Sequence, residues 1–292
     1  MFHAIRNFLK PCAPAAESEQ ATPGGTIKLL YPFTPKIRWG YGKPAHAGIE
    51  KILAEGRAEY ARVLKQFAES AAELVKIPLE PASDASAEPY WDNQFISGLD
   101  GIAIYCFLKE LNPRRYFEIG SGHSTRFARR AIGNCKLQTK ITSVDPHPRV
   151  EIDAICDRVI RQNAEDLDPA FLDELEPGDV LFIDGSHYVL MNSDVVAVFL
   201  DWLPRLKPGV LYGFHDIFLP NDYPETLMGL NFSEQYMLAT ALLEGHPSFS
   251  IKLPAIYASF DPELAKCLAP VWDHPKNPGI PQFGAGFWMV RR

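Results

Sequence analysis

No Cys-x-x-Cys pair occurs in this chain, and its five cysteines, Cys12, Cys106, Cys135, Cys156 and Cys267, are scattered and odd in number. That spacing argues against a structural zinc site or a disulfide framework, and fits isolated thiols in a reducing compartment. Long apolar runs are also missing: no stretch approaches the roughly 18 residues that span a bilayer. Near the start, Arg6, Lys10 and Pro11 interrupt an apolar patch, so no signal-type segment of about 7–15 apolar residues forms. A cytoplasmic protein without membrane partners is expected. Basic charge is scarce too. The 29 Lys and Arg are outnumbered by 36 Asp and Glu, a net charge of −7, which argues against nucleic acid as the main partner.

What the chain does have is core-forming material. Hydrophobic residues make up 47% of its 292 positions and charged ones 22%, enough for a large core. Two stretches, Ala13–Gly25 and Pro81–Pro89, read as linkers, which leaves Met1–Lys10 as a loosely attached helix. Between them, Ile27–Pro44 is an aromatic arm with Tyr31, Phe33, Trp39 and Tyr41, either packed over the main domain or closing over a substrate pocket. His46–Ile77 is predicted as one long helix. Its stripe of Ile49, Leu53, Tyr60, Leu64, Phe67 and Leu74 would pack on the domain or on a second subunit, so a homodimer is one outcome. Residues 1–89 thus form an N-terminal extension and 90–292 the main domain.

From Tyr90 onward, helix and strand patterns alternate. Tyr90–Leu111 is predicted as a helix. Strands are predicted at Arg115–Ile119, Lys140–Val144, Asp157–Arg161, Asp179–Ile183 and Gly209–Phe214. Helices are predicted at Ser124–Ile132, Arg149–Cys156, Pro169–Leu175 and Met191–Leu203. This spacing indicates an α/β, doubly wound sheet. Beyond a loop from Ile217 to Asn231, Ser233 reads as the N-cap of a helix from Glu234 to Glu244. Late strands at Phe249–Leu253 and Gly286–Arg291 suggest a closing antiparallel hairpin.

Ligands of such sheets sit at the carboxyl ends of the strands. Those ends read Glu118-Ile-Gly120-Ser121-Gly122, Asp145-Pro-His-Pro, Asn163-Ala-Glu165-Asp166, Asp184-Gly-Ser-His187 and His215-Asp216. The glycine turn followed by a helix start, with Ser124 or Thr125 as its cap, suits a nucleotide-type ligand. The third glycine of the dinucleotide fingerprint, which serves packing beneath a pyrophosphate, is replaced by Thr125. Glu118 beside the turn suits an ammonium group, and Asp145, about 20 residues on, suits ribose hydroxyls. Glu165 or Asp166 would accept from an adenine amino group. Together these favour S-adenosylmethionine over NAD, with Glu118, Gly120, Ser121, Gly122, Asp145, Glu165 and Asp166 as its binding residues. On the facing wall, Asp184 and Asp216 are candidate ligands for Mg²⁺ or another divalent metal. Asp184, His187 and His215 are candidate catalytic groups, either histidine being a candidate general base.

The stretches Tyr116–Thr125, Val144–Arg149, Asp179–His187 and His215–Pro224, with an echo at Ser233-Glu-Gln-Tyr236, resemble the class I S-adenosylmethionine-dependent methyltransferases, in particular the bacterial methyltransferase-domain family 24. The resemblance spans about Trp91 to Arg292. It implies a seven-stranded, Rossmann-like sheet and methyl transfer, on a hydroxyl of a small molecule or glycan. Asp184 and Asp216 fall where metal-dependent relatives place carboxylate ligands, although those relatives have Asp-Asp or Asp-Asn where this chain has His215-Asp216. Two other readings stay open: a metal-dependent hydroxylase-like enzyme using His187, His215 and Asp216, and a non-catalytic cofactor-binding subunit.

Overall fold

A computed structural model describes residues 31–83, 87–245 and 248–292. The expected helix at Met1–Lys10, the first linker and Cys12 lie outside them. Helices α1 (Ala47–Glu55), α2 (Arg57–Ala68), α3 (Ala71–Leu74) and α4 (Gly98–Leu111) precede the sheet. Then come β1 (Arg115–Ile119), α5 (His123–Cys135), β2 (Lys140–Val144), β3 (Arg158–Ile160) and β4 (Val180–Ile183). A short helix α6 (Asp194–Ala197), β5 (Leu211–Phe214), α7 (Glu234–Leu243), β6 (Phe249–Pro254) and β7 (Phe287–Arg291) follow.

The seven strands lie in the order β3-β2-β1-β4-β5-β7-β6. The first five are parallel, and β7 runs antiparallel to both β5 and β6. This is the expected α/β sheet with its antiparallel C-terminal pair. The parallel strands read as near-continuous apolar runs, such as Val180–Ile183, because both faces are covered. The strand order reverses between β1 and β4, so the crevice for a ligand opens above Ile119 and Ile183.

The predicted helix from His46 to Ile77 is three helices, broken at Gly56 and Ser70. The Tyr60 phenol end packs where a Cβ on Gly56 would stand. The break redirects the stripe. Ile49 and Leu53 pack on one side of the sheet with Phe117, Trp202 and Leu238. Tyr60, Leu64 and Phe67 pack on the other with Ile102, Phe107 and Trp288. The stripe is therefore consumed within the chain's own core.

Other elements are shorter than the sequence implies. Arg149–Cys156 forms only a 3-10 turn at Asp153–Ile155, where Pro146 and Pro148 precede it and Asp153 holds Arg161. Pro169–Glu174 is likewise 3-10. The Met191–Leu203 helix starts at Asp194 and widens to a π-turn at Val198–Trp202 before Pro204. The helix predicted from Tyr90 begins at Gly98, because Asn93 ties Tyr90, Phe95 and Ile96 into a loop. Ser124 and Thr125 lie inside α5, whose N-cap is Gly122; Thr125 serves the cap from the third helical position, its Oγ1 accepting from Gly122 N at 3.0 Å. Ser233 does not cap α7 through its side chain; its Oγ accepts from Val189 N instead. Cys106, Cys135, Cys156 and Cys267 are free thiols. Among the described residues, no helix is long and apolar enough to cross a membrane.

Phe67 is fully buried and meets Phe107 edge-on, with ring centroids 5.0 Å apart. Phe67→Ala is expected to cost about 3–5 kcal/mol, read as a lower urea midpoint. An unchanged midpoint would show that α2 is not part of this core.

Candidate active site

The glycine turn is built by close approach at the strand-order reversal. Gly120 has φ +74°, and a Cβ there would stand 1.7 Å from the Asp184 carbonyl oxygen. Only glycine permits both the left-handed backbone and the contact that joins β1 to β4. Gly122 is extended, and its space is limited by Val150. Ser121 N donates to Asp145 Oδ2 at 2.8 Å, and Ser121 Oγ lies 2.7 Å from Ser143 Oγ. Asp145 also accepts from His147 N, so this one carboxylate links the turn after β1 to the turn after β2.

Glu118 lies fully buried beneath the turn. Its carboxylate accepts from Tyr116 Oη at 2.8 Å and from Thr125 Oγ1, and Thr125 Oγ1 accepts from Gly122 N. Burial, aided by the charge of Asp184, pushes Glu118 up to about 7 despite those hydrogen bonds. Both of its oxygens are engaged internally, so Glu118 braces the turn from below. Glu165 and Asp166 stand exposed on a 3-10 turn after β3, where Asp166 Oδ2 accepts from Asn163 Nδ2. His123 lies between Phe95, stacked at 5.6 Å, and Tyr90, edge-on at 5.2 Å. Burial and the nearby Arg126 push its pKa down to about 4, so the ring is neutral.

The ends of β4 and β5 bring Asp184, His187, His215 and Asp216 into one cluster. His187 Nε2 lies 3.3 Å from Asp184 Oδ1 and 3.6 Å from Asp216 Oδ2. His215 Nδ1 lies 3.4 Å from Asp184 Oδ1 and 3.6 Å from Asp216 Oδ1. Each ring is held from behind by a further carboxylate. His187 Nδ1 is 2.9 Å from Glu234 Oε2, and His215 Nε2 is 3.2 Å from Asp100 Oδ2. Asp100 also accepts from the Ala285 and Gly286 amides at 2.8 and 2.7 Å. The two histidines, Asp100 and Glu234 are buried, whereas the Asp184 and Asp216 side chains each keep 24% exposure toward the cleft.

Sequence reasoning missed Asp100 and Glu234. Asp100 is 115 positions from its histidine and reads as the polar side of a helix. Glu234 had one signal, the Ser233-Glu-Gln-Tyr236 echo. His187 and Asp216 have φ of +65° and +53°, a conformation that costs a non-glycine residue about 1–3 kcal/mol. The loop from Gly185 to His187 is shaped by Asp194, which accepts from Ser186 N at 2.6 Å.

Burial disfavours a charged His187 ring. The hydrogen bonds to Asp184 and Glu234 and the charge of Asp216 outweigh it, raising the pKa to about 10. Asp184, Asp216 and Asp100 likewise raise the pKa of His215 well above the usual imidazole range, again against burial. Asp184 is held well below the usual carboxylate range, because the two imidazoles overcome the effect of its burial. Among the described residues, no group of three or more His, Cys, Asp or Glu side chains is disposed to hold a metal ion. Both imidazoles already approach the carboxylate oxygens that would coordinate a cation, so the donor set as it stands does not fit the expected metal on Asp184 and Asp216.

Gly120→Ala is expected to cost about 2–4 kcal/mol by combining left-handed strain with overpacking. A chemical-denaturation series measures it, and a neutral substitution would contradict the close approach of Asp184.

Residues 117–217 match the model of a family described as a methyltransferase domain. No curated protein matches the chain significantly. Similar solved structures include the SAH-bound methyltransferase PaMTH1 of Podospora anserina, at 14% identity over 91% of this chain and 100% of that one, with a TM-score of 0.41. Another is the O-methyltransferase of Bacillus cereus in complex with SAH, at 16% identity over 86% and 94%, TM-score 0.39. A third is the O-methyltransferase TomG of Streptomyces achromogenes in complex with SAM, at 13% identity over 67% and 81%, TM-score 0.39. The resemblance carried by the motifs is borne out by the family match, in which residues 117–217 are similar to a family described as a methyltransferase domain.

Proposed function

We propose that this chain transfers a methyl group from S-adenosylmethionine to a hydroxyl of a small molecule or glycan. The observation that carries this reading is the pairing of two walls across one crevice. On one side is a glycine turn tied to Asp145. On the other is an imidazole–carboxylate cluster at the ends of β4 and β5. S-adenosylmethionine supplies, when bound, a methyl group already attached to a good leaving group.

The chain's own task is then alignment and proton handling. Gly120, Ser121 and Gly122 seat the amino-acid end, Asp145 holds the ribose, and Glu165 or Asp166 meets the adenine edge. Holding the acceptor oxygen in line with the methyl group is worth about 7–11 kcal/mol when the geometry is right. Asp184 and Asp216 face the cleft and orient the acceptor hydroxyl. His187 is the base in this reading, because its Nε2 faces both cleft carboxylates while Glu234 holds its other nitrogen. Glu234 fixes its ring by accepting from Nδ1–H, which leaves Nε2 to take the hydroxyl proton. His215, locked by Asp100, stays charged and offsets the two cleft carboxylates.

Transfer of a labelled methyl group from S-adenosylmethionine to a panel of hydroxyl acceptors tests the activity. Loss of the His187 proton is required, so kcat/KM is expected to rise with pH, with an apparent pKa near 10. Glu234→Gln removes one of the groups that raise this pKa, so its rising limb moves to lower pH. A limb that stays in place would remove His187 from the role of base. Retention of full turnover in chelator is expected for a proton path through side chains alone, and loss of turnover would return Asp184 and Asp216 to metal binding.

A further inference from the structure

The N-terminal arm is bonded to the segment that follows Asp216. Asp222, 4% exposed, is where they join. Its Oδ2 accepts from Arg38 N at 2.5 Å and Trp39 N at 3.0 Å, and its Oδ1 accepts from Tyr236 Oη at 2.9 Å. The Asp222 amide donates to Trp39 O, and its carbonyl accepts from Tyr41 Oη at 3.0 Å. Nearby, His46 N donates to Pro220 O at 2.9 Å, and Gly40 packs directly on Asn221. Every polar group of Asp222 is therefore engaged, and most of its partners come from residues 38–41.

From Tyr236 the connection runs along the first turn of α7. Gln235 Oε1 accepts from Phe218 N at 2.8 Å, and Gln235 N donates to Tyr223 Oη at 3.3 Å. Ser233 N and Glu234 N both donate to His187 O, at 2.9 and 3.1 Å. A second connection is aromatic. Tyr236 packs edge-on against Tyr223, Tyr223 against Phe232, and Phe232 against the His187 ring, whose centroid is 4.7 Å away. Both routes start at Tyr236; one reaches the His187 carbonyl oxygen and, through Glu234, its Nδ1, and the other reaches the face of its ring.

We propose that the arm at residues 38–46 is a working part of the catalytic wall, and that Asp222 is a positioning residue that sets Glu234, and through it His187, for the reaction. This rests on the methyl-transfer reading for its kinetic consequence, but its structural consequence is independent of that reading. Asp222 touches no reacting atom. It closes a bonded block made of the arm, the 217–224 segment and the start of α7. The orientation of a base is sensitive to small displacements: a shift near 1 Å lowers the rate by up to about a hundredfold.

The test compares Asp222→Ala, Asp222→Asn and Tyr236→Phe in the full chain. Asn keeps the acceptor for the arm amides, and its amide group can donate to the phenol oxygen. Asp222→Ala is expected to lower kcat about tenfold or more, with the KM for S-adenosylmethionine unchanged. Asp222→Asn restores most of the rate. Tyr236→Phe removes one bond and gives a smaller loss, and combined with Glu234→Gln its effect is less than additive. In ¹⁵N-histidine spectra the His187 imidazole resonances shift in Tyr236→Phe. If Asp222→Ala does not fold, Tyr236→Phe alone decides. Full kcat and an unmoved His187 signal in Tyr236→Phe would overturn the proposal. A wild-type chain with no methyl transfer, but with the His187 shift present, would instead overturn the functional reading and leave the positioning intact.

Discussion

Two imidazole rings stand between four carboxylates, and the architecture of the crevice follows from keeping them there. Asp184 and Asp216 face the cleft, His187 and His215 lie behind them, and Glu234 and Asp100 hold the outer ring nitrogens. Buried charge of this density is costly unless each group finds a partner. The partners come from distant parts of the chain. Asp100 lies on α4, Glu234 on α7, and the amides of Ala285 and Gly286 just before β7. The sheet order brings them together, since β5 lies between β4 and β7. The left-handed backbone at His187 and Asp216 is held by that same surrounding network.

The opposite wall obeys a different constraint, which is space. The Asp184 carbonyl occupies the place of a Gly120 side chain, so the glycine turn and the acidic cluster are positioned by one contact. Asp145 extends the link to β2 through Ser121 N and His147 N. Glu118, which local sequence places beside the ligand, braces the turn from below through Thr125.

Much of the sheet was legible because parallel strands are short apolar runs ending in acidic or histidine residues. Gly120, Asp145, Asp184, His187, His215 and Asp216 all follow from asking what stands at each strand end. What could not be read depends on long-range contact. Asp100 and Glu234 look like ordinary polar helix residues until the fold sets them against the histidines. The single helix expected from His46 to Ile77 keeps its apolar period through Gly56, so periodicity alone hides the break. Packing reveals it, because Ile49 and Phe67 lie in different layers of the core. After β2 the expected helix is reduced to a 3-10 turn at Asp153–Ile155. The aromatic arm was visible as composition, but its attachment through Asp222 spans more than 180 positions.

In the proposed function, S-adenosylmethionine sits on the turn after β1 and the carboxylate after β2. Calorimetric titration of the full chain with S-adenosylhomocysteine and with NAD, repeated in Asp145→Ala, tests it most directly. S-adenosylhomocysteine is expected to bind one-to-one, about tenfold or more weakly in the variant, at a cost of about 1.4 kcal/mol or more, and NAD is expected not to bind. Tight NAD binding with no response to S-adenosylhomocysteine would contradict it.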